Sequence, residues 1–292
     1  MSLDSRLRLN LGLAATLLAL GGLVAYLTLH GEGEKPATLT PLKASEVTHI
    51  VIDRDDRPSV ELSKENGEWW LVQPFRIAAS RYRAEALAAL AQEPTGARYA
   101  VEGLDLARYG LDPGVAELHL NDTAIVFGNA NPVNNKRYVR VGDAVYLISD
   151  NSFGVLTAEV ASFVGPRLLP EGATVEALHM PGVGLERADE GWRLDPERPE
   201  IGADDIQRLL KAWEDAEALW AKPYSGRPAT GAVELRLSGS QTLHFDILET
   251  DPDLVLARPD LELEYTLPSE QIHGLLELTP APEESAPKPA AD

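Results

Sequence analysis

The hydrophobic pattern divides this chain into one continuous apolar run and a long series of short, alternating stretches. The run begins at Leu11 and ends at Leu29, LGLAATLLALGGLVAYLTL, 19 residues without a charge. As a helix rising 1.5 Å per residue it measures about 28 Å, close to the roughly 30 Å hydrocarbon core of a bilayer. After it the rhythm changes to period two. Residues 47–52 (VTHIVI), 59–63 (SVELS) and 68–72 (EWWLV) read as strands, with DRDDRP and Asn66-Gly67 as the turns between them; Asn-Gly is a strong two-residue hairpin signal. Pro74 ends this meander. A helix is predicted next: Ser80 suits the N-cap, and Ala84, Leu87, Ala88 and Leu90 share one face before Pro94. Residues 115–120, 124–127, 138–141 and 144–148 then read as a second strand set, and 152–161 as a short helix.

The same order returns in the second half. Trp192 answers Trp69 123 positions later, and the same offset takes Leu87 to Leu210. Residues 174–179, 183–187 and 191–194 form a meander. A helix over 202–220 follows, with Ile206, Leu209, Leu210 and Trp213 on one face. Residues 233–237, 242–248, 254–258 and 263–267 read as strands, and 269–276 as a closing helix. An internal repeat is therefore predicted. Because connections are short, its sheets should be mainly antiparallel. The expected fold is α+β: an N-terminal transmembrane helix followed by two tandem β-meander/helix repeats. Its parts are a cytoplasmic stub and anchor (residues 1–30), a spacer rich in Pro and Gly (31–44), the first repeat (45–170), the second (171–278) and a disordered Pro/Ala/Glu tail (279–292).

Charge orients the run. Arg6 and Arg8 precede it, while Glu32 and Glu34 follow with Lys35 as the only nearby cation. The positive flank stays in the cytoplasm, so the expectation is a single pass of the inner membrane with the body in the periplasm. A cleaved signal peptide is the rival reading. Its apolar core is shorter, at about 7 to 15 residues, and it ends in a small-x-small site that residues 26–34 do not offer. The chain has no cysteine, which removes disulfides, thiol nucleophiles and a lipid-modified anchor. Its net charge is −20 over 292 residues, and such a surface repels nucleic acid.

Candidate chemistry is sparse. The histidines, at 30, 49, 119, 179, 244 and 273, have no His-x-x-x-His spacing for a metal pair. The acidic clusters Asp53, Asp55, Asp56 and Glu249, Asp251, Asp253 lack the glycine and bidentate glutamate of a calcium loop and read as solvated turns. No Gly-x-Ser-x-Gly elbow and no phosphate loop is present. No catalytic residue, metal site or cofactor is therefore expected. The most distinctive loop is GNANPVNNKR, residues 128–137. Asn129, Asn131, Asn134, Asn135, Lys136 and Arg137 form its candidate ligand or partner surface. The five tryptophans, 69, 70, 192, 213 and 220, suit a core or a sugar platform, and repeat-equivalent placement favours the core.

Three features together resemble a known family. They are a strand ending in Asp53-Arg54 and leading through a second strand to Gly67-Glu68-Trp69-Trp70-Leu71; a helix followed by Tyr109-Gly110-Leu111-Asp112-Pro113; and Gly128, Pro132, Tyr138-Val139-Arg140 and Val145-Tyr146-Leu147. The chain resembles the bacterial family of domains of unknown function numbered 4340 over about residues 45–278. The second copy is more divergent and has no Gly-Leu-Asp-Pro. The resemblance implies a membrane-anchored periplasmic protein of a family often encoded beside ABC-transporter subunits, and it supplies no catalytic residues. The expected function is a non-enzymatic accessory or scaffold of a membrane complex, linked to an ABC transporter. Two alternatives stand beside it: a periplasmic module binding an envelope glycan or peptide through residues 128–137, and a hydrolase using two carboxylates.

Overall fold

The computed structural model describes residues 13, 16–21 and 37–280. Residues 13 and 16–21 are helical and exposed, and the remainder of the apolar run lies outside the described residues. Among the described residues no helix is long and apolar enough to cross a membrane.

Alternating strands assemble into two antiparallel sheets. The first holds β1 (His49–Arg54), β2 (Arg57–Glu65), β3 (Glu68–Gln73), β4 (Ile77–Ala78), β5 (Arg98–Ala100), β6 (Ala116–Leu120), β7 (Thr123–Asn131), β8 (Lys136–Val141) and β9 (Ala144–Ser149), in the order β4-β3-β2-β1-β6-β7-β8-β9-β5. The second holds β10 (Val175–Met180), β11 (Val183–Ala188), β12 (Gly191–Asp195), β13 (Trp220–Pro223), β14 (Gly231–Leu237), β15 (Thr242–Glu249), β16 (Leu254–Arg258) and β17 (Leu263–Leu267), in the order β12-β11-β10-β14-β15-β16-β17-β13. Without β4 the two orders are the same, strand for strand.

Each sheet carries a helix in the equivalent connection. These are α1 (Arg81–Ala89) and α2 (Ala203–Glu214), with a short α3 (Ile272–Leu276) closing the second half. Ser80 caps α1 as expected, its hydroxyl accepting from the Arg83 N–H at 3.4 Å. At α2 the cap is Gly202, whose N–H donates to the Asp205 carboxylate at 2.8 Å. The buried faces are Ala84, Leu87, Ala88 and Ala91 in the first half and Ile206, Leu209, Leu210 and Trp213 in the second. Position by position these correspond at an offset of 122, so Leu87 answers Leu209 rather than Leu210; one residue is lost between the third strand and the helix.

Several expected elements move. The second helix ends at Glu214, and Trp220 lies in the edge strand β13. Residues 152–161 form no α-helix; 3-10 turns at Asp150–Val155 and Val160–Phe163 take their place. The end of the expected spacer belongs to the body. Leu39 is 2% exposed, and the N–H groups of Leu39 and Thr40 donate to Glu93 and Ala91 at 2.9 Å. Inward residues of both sheets and both helices join in one continuous core, which runs from Ile50, Leu118 and Phe127 to Leu178, Trp213, Leu235 and Tyr265.

Candidate functional site

Alternation sends Ile52, Leu118, Ile125, Phe127 and Val139 inward and their neighbours outward. The outward set forms one row, because register pairs Asp53 with Glu117, Glu117 with Val126, Val126 with Arg140 and Arg140 with Val145. The connection from β5 to β6, residues 101–115, folds over the Val126–Val145 end of this row. Leu111 is 1% exposed and closes a small second core with Val126 and Val145, flanked by Leu104, Tyr109 and Tyr138. The Tyr109 and Tyr138 rings lie 4.7 Å apart.

Two glycines permit this close approach. A Cβ on Gly128 would stand 2.4 Å from the Tyr109 carbonyl oxygen, and one on Gly114 would stand 2.5 Å from a Val126 methyl. Gly110, at φ +66°, ends the 3-10 turn in a left-handed conformation that glycine adopts without penalty. The Tyr-Gly-Leu-Asp-Pro signature is thus a plug, with Leu111 as its anchor.

The uncovered end of the row is a cleft of about 350 Å³, walled by residues 111–117 and by the β1–β2 turn. Asp53, Glu117 and Arg140 line it together with Asp55, Asp112, Arg54 and Arg57. Two of the arginines are committed elsewhere. Arg54 donates to the Leu156 and Ala158 carbonyls at 3.0 and 2.8 Å and to that of Pro58 at 3.0 Å. Burial, and then the nearby Arg57, pull its pKa down. Arg57 donates to the Thr157 carbonyl and pairs with Glu159 at 3.3 Å. Among the described residues the Arg140 side chain makes no hydrogen bond or ion pair, so of the three cleft arginines it is the one left free to meet a ligand. His119 lies beside the cleft, 3.3 Å from Glu117 and 4.0 Å from Asp53. Such a cleft is large enough for a small polar group, and its walls offer both signs of charge.

The equivalent place in the second sheet is filled differently. Glu264 on β17 answers Val145 and is fully buried under the shorter connection, residues 224–230. Its carboxylate accepts from the Ser225 N–H at 2.8 Å and from the Ser225 hydroxyl, and pairs with Lys222 at 3.1 Å. Burial alone would raise its pKa. The bonds from Ser225 and Lys222 outweigh that and hold it below the usual range.

Residues 128–137 prove to be a tight hairpin. Asn129 and Asn131 belong to β7 and Lys136 and Arg137 to β8, leaving a four-residue turn that includes Asn134 and Asn135. Asn131 donates to the Tyr138 hydroxyl at 3.0 Å and accepts from the Val133 N–H at 2.9 Å. Arg137 is buried. It donates to Asp150 at 2.6 Å and to the Gly128 carbonyl, and stacks 3.5 Å from the centre of the Phe153 ring. Arg137 therefore serves the interior and is not presented to a ligand. Asn129, Asn134 and Asn135 remain exposed and Lys136 half-buried. Sequence alone does not mark the cleft residues Asp112, Glu117 and Arg140 as site residues, although Asp112 and Arg140 stand within the family motifs. The signal for them was the signature itself, together with alternation that puts Glu117 and Arg140 on the outward face.

Histidine–carboxylate pairs recur on these strands, His49 with Glu61 at 2.8 Å and His244 with Asp246 at 3.0 Å. Among the described residues no group of three or more histidines and carboxylates is placed to hold a metal ion. Of the tryptophans, 69 and 213 are buried, 70 and 192 half-buried, and Trp220 is 55% exposed.

The family model described as "Domain of unknown function (DUF4340)" matches residues 69–221, more than half of the 292 residues. That span holds the signature plug, Glu117 and Arg140. No curated protein and no solved structure matches the chain.

Proposed function

From the premise that this chain belongs to the DUF4340 family, we propose that it is a non-enzymatic scaffold, tethered to the inner membrane by residues 11–29, whose periplasmic body holds a partner within a membrane complex of the ABC-transporter class. The observation that carries the scaffold reading is the single core shared by both sheets. A duplicated body without a break between its halves offers two broad outer faces in a fixed relation, which suits holding a partner. The charge-free length of residues 11–29 and the Arg6/Arg8 flank support the tether and its direction. Brief crosslinking of the full-length protein, extraction in mild detergent and identification of what accompanies it is the test. Stoichiometric transporter subunits are expected; recovery of the protein alone would overturn the reading.

One observation favours a second reading, a module binding an envelope glycan or peptide. The cleft beside the signature offers Arg140, Asp112 and Asp55 without partners among the described residues. A glycan or peptide array probed with the body would then give a ligand whose binding is lost in Arg140→Ala.

A further inference from the structure

The two sheets differ at one edge. In the first, the outward edge of β3 is covered by β4: Leu71 pairs with Ile77 and Trp70 with Ala78, and the Ala79 N–H donates to the Trp69 carbonyl at 2.8 Å. In the second, β12 occupies the place of β3. It meets β11 in the same register, Leu194 opposite Leu185 and Trp192 opposite Arg187, as Leu71 lies opposite Leu62 and Trp69 opposite Lys64. Among the described residues no strand follows on its outer side. The side chains register the difference. Trp69 and Leu71 are 4% and 0% exposed, whereas Trp192 and Leu194 are only half-buried. After β12 the chain leaves through exposed residues at 195–197.

We infer that β12 is a docking edge that takes an extended segment of a partner protein, added antiparallel as β4 is added to β3. The first half of the molecule supplies the template. An aliphatic residue in the place of Ile77 faces Leu194, a small residue in the place of Ala78 faces Arg193, and main-chain bonds run to the outward N–H and C=O groups of Trp192 and Leu194. Charge selects the flanks. Residues 186–200 hold six carboxylates (186, 189, 190, 195, 197 and 200) against three arginines (187, 193 and 198). Arg198 is already committed to the Gly182 carbonyl at 2.9 Å. The segment therefore carries lysine or arginine on either side of its aliphatic centre. A second copy of this chain is a poor occupant, since edge-to-edge pairing would bring two such acidic borders together. This deepens the scaffold reading, and rests on it only for the existence of a partner.

The test uses the full-length protein in mild detergent and a defined probe, the chain's own residues 75–80 with a lysine added at each end and a fluorophore. Saturable binding is expected by anisotropy, with amide exchange over residues 191–195 slowed about tenfold or more when the probe is bound. Replacing the probe's basic residues by glutamate should weaken binding about tenfold or more, and replacing its isoleucine by glutamate should abolish it. These changes are made in the probe, so the fold of the protein is not at stake. Three outcomes overturn the inference: no binding, protection at any place other than 191–195, or slow exchange at Trp192 and Leu194 in the free protein. Self-association of the free protein that protects the same amides would overturn the choice of a partner over a second copy. The readout is independent of the co-purification experiment, so a missing membrane complex and an inert β12 edge are told apart.

Discussion

Arg137 is carried inward by β8, and its guanidinium satisfies Asp150 and the Gly128 carbonyl while covering Phe153. Removing it leaves a half-buried carboxylate without its cation. Arg137→Ala should therefore cost about 3–5 kcal/mol. Lysine should restore little of that, because it lacks the fork that reaches both acceptors. Its exposed neighbour Asn134→Ala should stay within about 0.5 kcal/mol. Urea unfolding of the body measures all three; equal midpoints for Arg137→Ala and Asn134→Ala would refute the structural role. From sequence, Arg137 looked like the other polar residues of its loop. What distinguishes it is Asp150, thirteen residues on, and no local pattern announces that pairing. Glu264 is similar, a carboxylate hidden in a strand whose partners Ser225 and Lys222 lie some forty residues earlier. Its folded-state pKa lies below its unfolded value, so its stabilisation is complete above the ordinary glutamate value of about 4.3 and fades as pH falls through the lower, folded value. Glu264→Gln should be less stable than wild type at neutral pH, by about 2 kcal/mol, and the gap should close as the pH is taken below 4. A gap that persists unchanged in acid would mean that the charge is not what matters there.

At the scale of elements, periodicity was legible where strands and helices are amphipathic, and failed where they are short. The meanders, α1 and the start of α2 follow from alternation, Asn-Gly, the Ser80 cap and the i, i+3, i+4, i+7 spacing. The edge strands β4, β5 and β13 have two to four residues each, too few for a period to be seen, and they exist because a neighbouring strand offers its free edge. The helix predicted through Trp220 stops at Glu214 because the chain there turns to run beside residues 166–168, with the Ala218 N–H donating to the Pro166 carbonyl at 2.8 Å. The cleft was half legible: the Tyr-Gly-Leu-Asp-Pro signature was visible, but not that Leu111 is a plug and Asp112 its rim. That packing depends on Gly128. A methyl there would collide with the Tyr109 carbonyl, a backbone atom that moves only if residues 101–115 lift. Gly128→Ala should cost about 1–3 kcal/mol and raise protease cleavage within residues 101–115. Gly154→Ala, where a Cβ meets nothing within 4 Å, should do neither. Undiminished protection of residues 101–115 in Gly128→Ala would show that the plug does not depend on this glycine.

For the whole molecule the question is whether a duplicated chain behaves as two units or one. Duplication alone would allow two. The connector argues for one. The Gly165 N–H donates to the Ala78 carbonyl at 2.8 Å on the first side, the Leu168 N–H donates to the Ala216 carbonyl at 3.2 Å on the second, and the core runs unbroken past it. Residues 163–169 are thus bonded to both halves. A shared core of about 240 described residues is within the range a single core can fill. Leu120 and Leu235 occupy equivalent, fully buried positions on β6 and β14. Each change to alanine should cost about 2–5 kcal/mol, and both should lower the midpoint of one common transition. Urea is the denaturant to use, because guanidinium would also screen the repulsion of a −20 chain and mix two effects. Far-UV ellipticity and tryptophan emission, to which Trp69 contributes from the first half and Trp213 from the second, should trace the same curve. If each substitution moved only one of two separate steps, the halves would be independent folding units, and the fixed relation between their outer faces, on which the scaffold reading depends, would lose its physical basis.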